Sequence, residues 1–575
     1  MNSIGGVISV SYDKLIFEVS DFGNLNYNFE GNTYVAKGVM DYVTIVSEAN
    51  EKYIYQVIKI EDRELFLSAD ENSKIDYTGR FECIPIGIIR NGKIEFNMDS
   101  YPFLRSRVYI TNEDEHKIIF SSPFKKSVLL GLIEKKYDAS IDVSKLFNHH
   151  SAVLGNTGSG KSTTIRRLIS ETQRLNTENL FLHVFDVHNE YQSETENTQI
   201  VKVLEEYKIS LSTLELQDWV NLVKPSELVQ YPMLQMALKL SNAFESQKIS
   251  EIWLKCYLAY TLYYSIQSEA VAKRAKIIGV LEGTGIDTSM YDSQYANMKR
   301  TDEITFIRSI KDKMLEHASS IGYDFLHEQL QSCEYATSSF DKLLSGLEYA
   351  FLLEECKGNA QARSHCGTLM TRIKTIQSKY SNLLSSLQIE EFRKKMPIIV
   401  YDVFELDDDL LLFFTSYLVN KFLESSKKKS IETREINVFI LEEAHRYISK
   451  SKETSSFYEI ERFRRIAREG RKFGCFLFIS SQRPSELSST VLSQCNNYLI
   501  HRIKNNIDLD YMLKTIPYID KNQLIRISFL PTGMIFIVGE LFPIPVEMEV
   551  IETKKLNVSD TPSIRLKEDT NAIKV

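Results

Sequence analysis

The sequence predicts an α/β protein in which a mostly parallel sheet is preceded by a small all-β domain and interrupted by a helical subdomain. Three observations lead there. Short β-type runs broken by turn signals occupy the first 120 residues, and strands alternate with helical patterns from about residue 140. A stretch from roughly 195 to 390 then breaks that alternation with apolar residues at helical spacing.

In chain order, the first domain rests on "KLIFEVS" (14–20), "YIYQVIKIE" (53–61), "RVYIT" (107–111) and "KIIF" (117–120), read as strands and separated by "FGN", "EGN" and "RNGK". Strands so short and so closely spaced fit an antiparallel barrel or a sandwich. No catalytic constellation sits among them, so the domain reads as a structural or oligomerisation module. The α/β part rests on "SAVLG" (151–155), "LFLHVFDV" (180–187), "PIIVYDV" (397–403), "NVFILEE" (437–443), "CFLFISSQ" (475–482) and "NYLIHRI" (497–503). Each is apolar almost throughout, as strands are when helices cover both faces of a sheet. Between the second and third of these runs no proline follows Pro232 until Pro397, and "SEIWLKCYLAYTLYYSIQ" (250–267) repeats apolar side chains at helical spacing. This segment is expected to be a helical insertion whose aromatic faces form its own core. The expected boundaries are 1–125 for the β domain, 126–194 with 391–555 for the α/β core, 195–390 for the insertion and 556–575 for a polar tail.

Composition narrows the class. A chain of 575 residues exceeds one ordinary core, and 43% hydrophobic with 25% charged residues is a globular make-up. The net charge of -8 and a pI near 5.9 exclude a protein coated in basic surface, so nucleic acid would be met only in a local groove or pore. Seven scattered cysteines without a C-x-x-C pair argue against a disulfide framework or a zinc ribbon. The first residues lack a basic segment followed by a long apolar run, and no stretch of about 18 uncharged apolar residues occurs. The expectation is a cytoplasmic protein with no membrane span.

Chemistry concentrates in three places. Directly after "SAVL" comes "GNTGSGKST", Gly155, Asn156, Thr157, Gly158, Ser159, Gly160, Lys161, Ser162 and Thr163, which satisfies G-x-x-x-x-G-K-[ST] with a helical pattern behind it. Its glycines let the backbone wrap a phosphate chain at a helix N-terminus. Lys161 would reach the β and γ phosphates of ATP, and Ser162 would offer an oxygen to Mg²⁺. The second place is "NVFILEEAHRYI" (437–448), an apolar run that ends in two adjacent carboxylates. Two such charges are costly to dehydrate without a cation or a polarised water between them. In a P-loop fold Glu442 would help hold Mg²⁺ through its water shell, and Glu443 would polarise the attacking water. The third place is "RFRRIAREGRKFGCFLFISSQRP" (462–484), a basic helix followed by a strand that ends in Ser480, Ser481 and Gln482. Gln482 would touch the γ phosphate or the water, and Arg468 or Arg471 would supply transition-state charge. His149, His150, His188 and His445 lie near these motifs at spacings that fit no zinc template, so they read as supporting side chains.

In this order "HHSAVLGNTGSGKST", "FDVHNEY", "YDVF", "ILEEAHRY", "AREGRKFG" and "SSQRPSEL" resemble the HerA family of hexameric ATPases, within the superfamily of FtsK-like DNA pumps. The segment "LPTGMIFIVGELFPIPVEMEV" (530–550) is similar to that family's terminal strands, and the first 120 residues to its N-terminal β-barrel. The resemblance implies a P-loop NTPase core of the RecA/ASCE type and a homohexamer with ATP and Mg²⁺ between subunits. It makes Arg468 the favoured finger acting on a neighbour's nucleotide, with Arg471 second. It further implies double-stranded DNA moving through the central pore. A partner nuclease or other effector, nuclease-like or sirtuin-like, would dock on the barrel side, in antiviral defence or DNA end processing. Asn189 stands where that family's glycine is more typical, so Asp186 and Glu190 enter only as supporting residues. The alternative from another class is an ATPase scaffold ring that assembles and gates a toxic effector without processive DNA movement.

Overall fold

The computed structural model describes residues 2–48, 50–66, 75–120, 127–175, 177–191, 197–265, 270–290, 298–359, 361–385, 396–453, 460–517, 519–542 and 544–552. The expected polar tail, 556–575, lies outside the described residues. Two compact units emerge, Met1–Leu180 with Phe476–Leu556, and a second built on Phe181–Cys475.

In the first unit the N-terminal domain is a closed barrel. Its strands run Leu15–Val19, Gly5–Val10, Arg107–Ile110, Tyr42–Val46, Lys52–Phe66 and Ile75–Arg90, and pairing of Leu15 with Cys83 returns the last strand to the first. Every contact between them is antiparallel. Closure removes the free edges that a sandwich of such short strands would leave open. Alternate side chains such as Leu15, Phe17 and Val19 point inward, and Phe17 stacks on Phe81 at 4.8 Å.

One expected strand is a helix. Residues 117–120 close the helix Glu113–Phe120, because Asn112 and Glu115 cap it reciprocally: the Glu115 N–H donates to Asn112 Oδ1 at 2.8 Å and the Asn112 N–H to Glu115 Oε2 at 3.1 Å. The acidic first turn Glu113, Asp114, Glu115 adds favourable charge at the helix N-terminus, and this outweighs the β preference of Ile118 and Ile119.

The rest of the first unit is a sheet ordered Tyr137–Asp142, Ser127–Ile133, Val546–Val550, Met534–Gly539, Asn497–Ile500, Ser151–Leu154 and Cys475–Ser481. Its last three strands are parallel, as the sequence predicts, and the others are antiparallel. The register pairs Leu154 with both Ser481 and Ile500, so three strands end at one level.

In the second unit the strands Ile436–Leu441, Leu180–Asp186, Ile398–Asp402 and Thr198–Lys202 follow one another in that order. Thr198–Lys202, within the span expected to be helical, is a parallel edge strand beside Ile398–Asp402. After it come the helices Leu216–Val223, Gln230–Glu245, Glu251–Tyr264, Ala270–Leu281, Arg300–His317, Tyr323–Gln331, Phe340–Cys356 and Gly367–Lys379. They have a core of their own, in which Trp219 and Trp253 are fully buried. Gly346 lets Phe340–Cys356 lie against Gln230–Glu245, since a Cβ there would come within 2.4 Å of the Ala237 carbonyl. No helix among the described residues is long and apolar enough to cross a membrane.

Candidate functional site

In the first unit the glycine loop begins where its three parallel strands end, the place where open α/β sheets present their ligand sites. The neighbouring strands hold it by backbone bonds, Gly155 N–H to the Ser481 carbonyl at 3.2 Å and Asn156 N–H to the Arg502 carbonyl at 3.0 Å. Gly155 has no room for a side chain: a Cβ would sit 2.5 Å from that of His501 and 2.7 Å from Ser159 Oγ. Gly158 (φ 71°) and Gly160 (φ 112°) adopt the left-handed conformations that turn successive N–H groups inward. Lys161 opens the helix Lys161–Arg174 and folds back over the loop, its Nζ donating to the carbonyls of Gly155 at 2.8 Å and Asn156 at 3.3 Å. Gln482, at the end of the adjacent strand, accepts a hydrogen bond from the Thr157 hydroxyl. Thus one edge of the sheet brings together the nine loop residues and Gln482.

Under the loop lies His501, wholly buried. Its Nδ1 is 3.0 Å from the Ser159 carbonyl, which can only accept, so Nδ1 carries the proton and Nε2 accepts from the Thr164 hydroxyl at 2.9 Å. Burial and the nearby Lys161 ammonium push its pKa down to about 3, against the opposing Ser159 bond. The ring is a neutral strut in a fixed tautomer.

In the second unit the strand Ile436–Leu441 delivers Glu442 and Glu443 into buried positions, 4% and 8% exposed. Glu442 Oε1 accepts from the Tyr191 hydroxyl at 2.9 Å and Oε2 from the Val187 N–H at 3.3 Å. Burial first, then the Asp186 and Glu190 carboxylates, push its pKa up to about 8. Glu443 adopts a left-handed backbone (φ 44°) and lies between two imidazoles, His445 Nδ1 at 3.1 Å and His188 Nε2 at 3.9 Å. The Glu443 carboxylate beside it raises the pKa of His188, burial opposing and the charges of Glu442 and Glu190 adding to the rise. Asp186 organises the loop that follows it, accepting from the N–H groups of His188, Glu190 and Tyr191 at 3.2, 3.0 and 2.9 Å.

Arg468 and Arg471 stand apart on the helix Glu461–Phe473. The buried stripe of this helix is Arg462, Phe463, Ile466, Ala467 and Gly470. Arg462 is paired with Asp218 and Glu215, Arg464 with Glu461, and Arg465 with Glu424. Arg468 and Arg471, one turn apart, are exposed, and no ion pair or hydrogen bond of their side chains occurs among the described residues.

The family model described as "Helicase HerA, central domain" matches residues 129–422. The chain belongs to the HerA helicase family. A DNA double-strand break repair helicase HerA of Saccharolobus solfataricus is 24% identical over 472 residues, covering 80% of this chain and 75% of its own. A probable helicase of Methanocaldococcus jannaschii, MJECL08, is 25% identical over 482 residues, covering 81% and 78%. Among solved structures, VirB4 of Thermoanaerobacter pseudethanolicus aligns with a TM-score of 0.42 at 12% identity, over 75% of this chain and 98% of that one.

Within this HerA-family chain the residues fit a nucleotide with Mg²⁺. A side chain at Gly158 would meet nothing within 4 Å, so this part of the loop borders open space. The Ser162 hydroxyl makes no hydrogen bond among the described residues and is available as a ligand. No group of three or more His, Cys, Asp or Glu side chains that could hold a metal occurs among the described residues. A cation here would be held largely by phosphates and water, as Mg²⁺ characteristically is. His501 and Tyr191 escape sequence reasoning. His501 lies 337 positions from Thr164, and no local pattern marks it. Tyr191 sits in the quoted "FDVHNEY" but carries no motif role that would single it out.

Proposed function

We propose that this chain is an ATP-hydrolysing motor that assembles as a cytoplasmic homohexamer and drives double-stranded DNA through its central pore. The glycine loop from Gly155 to Thr163 holds the triphosphate, Lys161 meets its β and γ oxygens, and Ser162 with Glu442 holds Mg²⁺, directly or through water. When bound, that cation neutralises charge on the phosphates and lets Glu442 ionise despite its burial. Glu443 orients and deprotonates the attacking water, and Gln482 senses the γ phosphate through the contact it now makes with Thr157. Arg468, with Arg471 second, reaches the nucleotide of a neighbouring subunit.

The observation that carries this reading is the division of labour on one helix. Three arginines of Glu461–Phe473 are paired within the chain, while the exposed pair, Arg468 and Arg471, has no such partner among the described residues. An exposed cation with no such partner suits a finger supplied in trans to a neighbouring subunit's nucleotide, a contribution on the order of 10³ to 10⁵ in rate. Working with a partner nuclease or other effector on the barrel, in antiviral defence or DNA end processing, is the setting we assign.

The test uses two dead variants. Glu443→Gln should bind ATP without turnover, and Arg468→Ala should bind without hydrolysis. Mixed in one ring, they should recover part of the rate at interfaces where an intact Glu443 faces an intact Arg468. No recovery at any mixing ratio would refute the trans assignment. Triplex displacement by the parent separates the motor from a scaffold ring, whose hydrolysis would respond to its effector and ignore DNA.

A further inference from the structure

We propose that Arg462, Asp218 and Glu215 are positioning residues that hold the helix Glu461–Phe473, and with it Arg468, at one rotation against the first helix of the insertion. The proposal rests on the reading of Arg468 as the arginine that reaches a neighbour's nucleotide. Arg462 is the second residue of its helix and 7% exposed, and Asp218, on the helix Leu216–Val223, is 2% exposed. The guanidinium meets Asp218 with both terminal nitrogens: Nη1 donates to Oδ1, and Nη2 donates to Oδ2 at 3.1 Å. Nη2 also donates to Glu215 Oε2 at 2.9 Å.

The acceptors are themselves fixed. Asp218 Oδ2 accepts from the Glu215 N–H at 2.9 Å, which ties the carboxylate to the start of its own helix. The Asn420 side-chain amide, on the helix Asp408–Lys427, lies 3.4 Å from both Glu215 oxygens. Three helices therefore meet at one polar junction. A buried ion pair is costly to desolvate, and apolar side chains of similar volume often stabilise a fold as well or better. What this pair supplies is geometry.

The helix has two other kinds of contact, and each is less particular about rotation. Phe463, Ile466 and Ala467 are buried, and the attraction of apolar surfaces is non-directional. Gly470 sets a close approach at the far end, where a Cβ would come within 2.2 Å of the Cys475 carbonyl. A planar guanidinium seated on both oxygens of a carboxylate has a single geometry, so Arg462 fixes the near end in rotation. Arg468 lies between these two ends, six residues and about 240° around the helix from Arg462, on the exposed face. The tip of its long side chain is farther from the helix axis than the buried stripe is. A small rotation that the stripe tolerates therefore carries the Arg468 guanidinium through a larger arc.

Removing one partner would leave the other charge buried alone, so the test removes both. Arg462→Met combined with Asp218→Asn buries no unpaired charge and keeps an oxygen for the Glu215 N–H. In the full-length protein with DNA, this double variant should lower kcat for ATP about 10- to 100-fold, the scale of a misplaced catalytic group. KM and the affinity for a fluorescent non-hydrolysable ATP analogue should stay within about twofold, as expected for a loss confined to the transition state. The loss should also act in trans. Mixed with Glu443→Gln subunits, which keep their own Arg468, the double variant should regain part of the rate; mixed with Arg468→Ala subunits it should regain none. Arg462→Lys keeps a charge against Asp218 but not the two-nitrogen fit, and should show the same mixing pattern with a smaller loss. If the double variant fails to fold, Arg462→Lys decides by itself. Parental kcat, a loss carried by KM or analogue affinity, or a mixing pattern other than this one would each overturn the brace. Arg468→Ala mixed with Glu443→Gln, run in parallel, separates the two readings. No recovery in that mixture means that Arg468 is not the trans group, and the brace falls with it; recovery in that mixture alone means that only the brace is wrong.

Discussion

The glycine-loop half and the acidic-strand half of this chain solve opposite problems with buried polar groups. Between Ser159 and Thr164 the buried polar group is neutral and paired: His501 is held uncharged, with its pKa near 3, and bridges a carbonyl and a hydroxyl. Around Leu441 the ingredients conflict. Glu442 is buried beside Asp186 and Glu190, and its pKa rises to about 8 because burial first, and then those two carboxylates, disfavour its charged form. The first half is a finished mould for an anion, set by backbone geometry. The second is a buried acidic cluster, set by desolvation and by like-charge neighbours.

The comparison breaks most sharply at Gly155. Gly155→Ala would force a Cβ to within 2.5 Å of His501, in a region with no slack. Overpacking of this kind costs about 1–3 kcal/mol, and the loop must open to absorb it. Thermal unfolding should shift down and binding of an ATP analogue should be lost, while the acidic half, measured by the pH response described next, should be unchanged. Retained nucleotide affinity would mean that the mould is softer than its geometry implies.

The two halves should also lean in opposite directions with pH. Glu442 has a folded pKa raised from about 4.5 to about 8, so the folded state binds more protons in that window and stability falls as pH rises through it. His501 has a folded pKa lowered from 6.5 to about 3, so its contribution is complete above 6.5 and is lost as pH falls toward 3. Denaturant unfolding without nucleotide should therefore show that Glu442→Gln flattens the alkaline limb and leaves the acid limb alone. His501→Asn should do the reverse. Identical limbs in the variants and the parent would show that burial, as described, does not control either group.

Much of the anion mould was legible in the sequence because its signals are local: Gly155, Gly158, Gly160 and Lys161 fall within seven consecutive positions that follow an apolar strand. The Glu442 and Glu443 pair was legible for the same reason, as an apolar run with an abrupt end. The parts that were not legible are those set by tertiary contact. Helix Glu113–Phe120 is decided by a reciprocal cap that competes with β-favouring side chains, and the edge strand Thr198–Lys202 gains its identity only from its partner Ile398–Asp402. His501 matters because the chain returns to the loop after hundreds of residues. The fate of Arg462 could not be foreseen either: it lies in the same basic run as Arg468, but it is buried against Asp218 and Glu215 while Arg468 is exposed.

Asn189 offers the finest adjustment of the acidic half. It sits at φ 57° between His188 and Tyr191, a left-handed conformation that asparagine tolerates and glycine adopts freely. Asn189→Gly should change stability by less than about 1 kcal/mol, because relief of backbone strain and the greater entropy of the unfolded chain nearly cancel. Asn189→Val places a β-branched side chain where it is least tolerated and should cost about 1–2 kcal/mol. It should also lower kcat with little change in KM, because the loop can then relax only by moving the Tyr191 hydroxyl away from Glu442. If the valine variant unfolds at the parental temperature and turns over normally, the loop does not hold Glu442, and the contrast between a finished mould and a charged, actively supported half reduces to a difference in burial alone.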